Sequence, residues 1–143
     1  MSPKTLTRTL AIKERLRQWR RVELQEAESK VAQAEKSVEL EAARHAGAAA
    51  LVTRAGEHSA IDLALHAEQV ARTNDTLRRA KAELDACEEE RQVRRQDVGE
   101  ATREVKAIEA LRTRLIEAQR READQREQRD LDEAAARRGR LTP

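Results

Sequence analysis

The sequence predicts an all-α chain: two long helices folded into an antiparallel coiled-coil hairpin, with a C-terminal helical overhang. Three observations point there. Charged residues make up 39% of the 143 residues and aromatics 1%, so a layered globular core would lack its usual filling. The two prolines, Pro3 and Pro143, stand at the extreme ends, and nothing between them forbids helix. Apolar residues recur by threes and fours over most of the chain.

The first helix is expected from about residue 3 to 53. Ser2 and Pro3 supply a capping hydroxyl and a proline at the first helical position. Its apolar series begins Ile12, Leu16, Trp19 and, after a short phase slip, continues Leu24, Ala27, Val31, Ala34, Val38 and Ala42. The turn is expected at about 54–60, with the reversal near Gly56 and Ser59 as N-cap of the next helix. The second helix is expected over about 61–138. From Leu63 to Leu115 one heptad frame holds, and 11 of its 16 seam positions are apolar. A frame sustained that long is the mark of a coiled-coil seam and not of a charged, disordered chain. The whole of 1–143 therefore reads as one hairpin domain.

A reversal at Gly56 sets residues opposite each other when their numbers add to about 115. Leu10 would then face Val105, Val31 would face Leu84, and Val38 would face Leu77. Acids in 23–43 would oppose Arg78, Arg79, Arg91, Arg94 and Arg95, fixing register more than stability. The first helix would run out opposite Arg112, leaving Arg112 to Pro143 without a partner inside the chain. Such a helix, polar all round, frays or binds something.

The same residues argue against several function classes. No glycine-rich phosphate loop is present, and Cys87 is the single cysteine. It occupies a seam position, where a small apolar role suits it. His45, His58 and His66 lack the i, i+4 spacing of a helical metal pair, so no metal or other cofactor is expected. A long two-helix chain offers no concave pocket to assemble a catalytic group, so no enzyme is expected. Residues 4–21 hold seven bases and one acid, yet one tryptophan gives little for nucleic-acid stacking. The longest uncharged run, His45 to Thr53, is far too short to span a bilayer, so no direct membrane insertion is expected. The basic start also has the composition of an organellar transit peptide, but no small-residue cleavage site follows it. Arg91, Arg94 and Arg112 interrupt the second seam. Their stems are expected to lie along it with the guanidinium in water, or else to mark a point that sets register.

The C-terminal run Glu109-Ala110-Leu111-Arg112-Thr113-Arg114, followed by Arg126-Glu127-Gln128-Arg129-Asp130-Leu131-Asp132-Glu133-Ala134, resembles the closing signature of the FliJ-like family. Leu10, Lys13, Arg15 and Leu16, opening a long helix, are similar to its N-terminus. The chain departs from the family in lacking an N-terminal Phe and in its Ala-rich turn, which leaves flagellar members and the injectisome YscO/SctO group both open. The resemblance implies a non-enzymatic stalk of a type III protein export apparatus, cytoplasmic and peripheral at the inner membrane. It implies insertion into a hexameric export ATPase, contact with the export-gate membrane protein, and handling of export chaperones. It also implies ring contact through Arg126, Glu127, Gln128, Asp132 and Glu133, with Arg15 and Arg17 on the opposite strand. The alternative from the residues alone is a generic coiled-coil scaffold or homo-oligomeric spacer.

Overall fold

The computed structural model describes residues 1–54 and 59–141. It holds two helices, α1 (Pro3–Thr53) and α2 (Ala60–Leu141), packed against each other as a hairpin, and no strand occurs among the described residues. Both caps form as the side chains dictate. The Thr5 amide donates to Ser2 Oγ at 3.2 Å, and the Asp62 amide donates to Ser59 Oγ at 3.3 Å. Ser59 Oγ in turn donates to the Asp62 carboxylate at 3.0 Å, which orients the capping hydroxyl. Gly56, where the reversal was expected, and His58 lie outside the described residues. Gly47 is helical and breaks nothing.

The chain divides into two compact units, one of residues 1–17 with 100–143 and one of residues 18–99. In the first, Leu6, Leu10, Ala101 and Val105 are buried, Val105 completely. Lys13 reaches across to Glu104 at 2.8 Å. In the second, Ala27, Val31, Ala34, Ala48, Thr73 and Leu77 are buried. There Lys30 pairs with Glu90 at 3.5 Å, and His45 meets Thr73 at 3.1 Å. Thr73 spends its only hydroxyl proton on the Gln69 and Val70 carbonyls.

The frame expected for α2 is the frame observed: every one of its seam positions from Leu63 to Leu115 is buried or half-buried. The start of α1 differs. Ile12 and Trp19 point outward, 65% and 66% exposed, and Leu16 is also exposed. Lys13, Arg17 and Arg20 take the inward positions instead. No phase slip exists, because the inward residues of α1 keep the heptad spacing of α2 from Pro3 through Leu10, Arg17, Leu24, Val31, Val38 and His45 to Val52. The cations are tolerated for a physical reason. Their apolar stems lie along the seam while their heads reach acids, Glu104 for Lys13 and Glu23 for Arg20.

Register is also corrected. Opposed pairs have numbers adding to 117 (Lys13–Glu104, Glu23–Arg94), 118 (His45–Thr73) and 120 (Lys30–Glu90), not to about 115. Val31 therefore falls across from Cys87 rather than Leu84, Val38 from Ala80, and Leu10 from Ile108. Arg91 falls across from Ala27 and Arg17 from Ala101, two buried alanines that leave room for a long stem. The small residues Ala34, Ser37, Ala80 and Cys87, with Lys30, Gln33 and Glu83 around them, line an open groove. Cys87 is accordingly half-buried and free.

Within unit 18–99 the seam carries one charge network. Arg20 and Arg94 both donate to Glu23 Oε2, at 3.1 and 3.2 Å, and each also approaches Asp97, at 4.0 and 3.7 Å. The Trp19 indole donates to Glu23 Oε1 at 2.6 Å. That short hydrogen bond, followed by the two arginines, holds the Glu23 carboxyl below its ordinary value of 4.5 against the opposing effect of partial burial. A depressed carboxyl stabilises the fold fully above the ordinary value and loses that contribution as pH falls through the depressed one. Glu23→Gln should therefore be less stable than the parent at neutral pH and should flatten the acid limb below pH 4.5. Denaturant titrations at a series of pH values check this, and parallel acid limbs in parent and variant would contradict it.

Candidate partner-binding site

Unit 1–17 with 100–143 changes character along α2. As far as Leu115, the seam residues Ala101, Val105, Ile108, Arg112 and Leu115 are buried or half-buried against the start of α1. By register, Pro3 falls across from Leu115, and there α1 ends. From Ile116 to Leu141 every residue is exposed, yet all of them are helical. The overhang thus begins at Ile116, slightly later than the Arg112 expected from sequence.

Local chemistry explains why this stretch is helix without a partner. Residues 116–138 contain no glycine or proline and are mostly Ala, Glu, Gln, Arg and Leu, all strong helix formers. Spacings of i, i+4 link Glu122 to Arg126 at 3.5 Å and Gln128 to Asp132 at 3.0 Å. Arg138 and Arg140 occupy the last turn, where cations suit the helix dipole. Each such link is worth only about 0.2–0.5 kcal/mol. Nothing apolar holds the segment, and its large apolar residues Ile116, Leu131 and Leu141 are 47%, 58% and 83% exposed.

Its electrostatics are balanced. Seven arginines face seven acids over 116–141, and the acids all lie between Glu117 and Glu133, whereas Arg137, Arg138 and Arg140 crowd the end. A zero net charge with both signs interspersed up to Glu133 suits recognition by matched polar contacts more than bulk attraction to a polyanion.

The residues singled out from sequence divide three ways. Arg126, Glu127, Gln128, Asp132 and Glu133 share the exposed stretch, and three of them, Arg126, Gln128 and Asp132, take part in the links along the helix described above. Arg15 is exposed on α1, and Arg17 is half-buried on the seam. Arg15 lies by register across from residue 103, so about 35 Å of helix separates its level from Arg126. The two sets form no single cluster.

Among the described residues no group of three or more His, Cys, Asp or Glu side chains could hold a metal ion. Among the same described residues no helix is long and apolar enough to cross a membrane. The inward positions of Lys13 and Arg20 were missed from sequence. The signal that finds them is the unbroken heptad spacing of α1, which the bulkier Ile12, Leu16 and Trp19 obscure.

No curated protein and no solved structure matches the chain. The model of one protein family, described as flagellar FliJ protein, matches residues 3–141, across both helices and the exposed end of α2. With nearly its whole length matched, the chain belongs to the FliJ family, and through it to the flagellar protein export apparatus.

Proposed function

We propose that this chain is the non-enzymatic stalk of the flagellar type III export apparatus, acting as one domain. On this reading it enters the ring of the hexameric export ATPase, promotes ring assembly and activity, and couples the ring to the export-gate membrane protein. It also hands on export chaperones, and it works from the cytoplasm, peripheral to the inner membrane. The observation that carries this is the solvent-exposed helix from Ile116 to Leu141, which continues past the end of α1.

Arg126, Glu127, Gln128, Asp132 and Glu133 supply the polar contacts to the ring. Arg15 and Arg17 contribute from α1 at a separate level. Membership of the family supports this reading, and so does the balanced charge of the exposed stretch. The Arg94 pairing with Glu23 inside the chain leaves that arginine no call for a second copy.

The test is a five-site variant with Arg126, Glu127, Gln128, Asp132 and Glu133 changed to alanine, placed in the parent cell. Alanine keeps helix propensity, so circular dichroism should be unchanged. Affinity for the ring should fall at least about tenfold, equivalent to about 1.4 kcal/mol of lost contact, and secretion of flagellar substrates should fall with it. Undiminished secretion at equal protein level would sink the assignment of the contact surface.

A further inference from the structure

Unit 18–99 exposes an aromatic surface beside the seam that the proposed stalk role does not use. Trp19, Val22, Glu23 and Glu26 fall on one face of α1, at helical spacings of three and four, and together line a shallow pocket. Trp19 is 66% exposed and Val22 44%. The ring is nonetheless held in place. Its indole N–H donates to Glu23 Oε1 at 2.6 Å, and Glu23 is anchored through its other oxygen by Arg20 and Arg94. Glu26 is exposed and has no hydrogen bond or ion pair among the described residues.

We infer that this pocket binds an arginine or lysine side chain presented by a partner protein. The chemistry selects that occupant. A fixed, exposed indole face attracts a cation through its quadrupole. The Glu26 carboxylate beside it has no other partner and would be stranded under a purely apolar ligand, at a desolvation cost. An anion would meet the ring's negative face and the same carboxylate. Val22 offers an apolar wall to the stem that carries the cation. Because the indole N–H is already bonded, little side-chain freedom remains to be lost on binding.

The chain has one tryptophan and neither tyrosine nor phenylalanine, so its emission reports this pocket alone. The experiment titrates the full chain with a capped tetra-arginine peptide and with the neutral tetra-citrulline peptide of the same shape. A saturable change in Trp19 emission with arginine and none with citrulline is expected. Glu26→Gln should raise the half-saturating concentration about fivefold. Glu35→Gln removes the same charge elsewhere on α1 and should stay within about twofold. Circular dichroism should be unchanged for both, since both sites are exposed.

Equal responses to the two peptides, equal weakening by the two variants, or no saturable change would each overturn the assignment. An emission shift that depends on protein concentration without peptide would overturn it as well, placing the arginines of a second copy in the pocket.

Discussion

Val105→Asp is expected to open the pairing of residues 3–17 with 100–115. Val105 has no exposed surface, and by register it lies across from Lys13 beside Leu10. Burying valine there contributes about 1.5–3 kcal/mol, and an aspartate in its place adds the cost of desolvating a charge. Lys13 does not offset this, since it already serves Glu104 at 2.8 Å. A loss of about 3 kcal/mol or more follows, the size expected when an unpaired charge enters a seam. Local amide exchange reads it directly. Protection of residues 4–17 should collapse, while 24–50 and 66–94 exchange as in the parent. Val105→Ile, which keeps a branched apolar side chain, should keep the protection. Unchanged exchange in Val105→Asp would mean that the start of α1 owes its order to something other than this seam.

Truncation after Leu115 should have the opposite profile, no structural cost and a large functional one. The removed stretch contains no buried residue among those described, and the bonds seen within it are local ones spanning one turn. The denaturant midpoint of the remainder should move by less than the error of the extrapolation. Helical signal should fall only in proportion to the residues removed, and secretion should be lost. A truncated chain that melts early would show that the stretch packs on the rest of the molecule. That outcome would conflict with its exposure.

The way the seam reads from sequence depends on how each stretch fills it. Along α2, Leu77, Leu84, Val98, Val105 and Ile108 recur in one strict frame, so Arg91, Arg94 and Arg112 could be placed on it by spacing alone. In the first turns of α1 the two signals conflict. Hydrophobicity favours Ile12, Leu16 and Trp19, whereas heptad spacing favours Lys13, Arg17 and Arg20. Spacing wins, because α2 keeps its frame there and offers Glu104 and Asp97 to the cationic heads. Those acids are dozens of residues away in sequence, and only register brings them close. Register itself was misjudged by about three residues, since one glycine near the turn cannot fix it to better than that.

The exposed end of α2 was legible for a simpler reason. Past Leu115 the apolar residues become too sparse to make a stripe, and α1, which begins at Pro3, does not run alongside them. What the stretch binds is not legible in its periodicity. The match to the family over residues 3–141 supplies the export apparatus, and the chemistry of the exposed side chains supplies the proposed contact.

The central claim is that this exposed helix engages the export ATPase ring. Titrating the purified cognate ATPase with the full chain, and with the chain ended at Leu115, tests it most directly. A several-fold rise in ATP hydrolysis with hexamer formation is expected for the full chain and neither for the shortened one. Equal stimulation by both, or none by either under conditions where the ATPase is active, would contradict it.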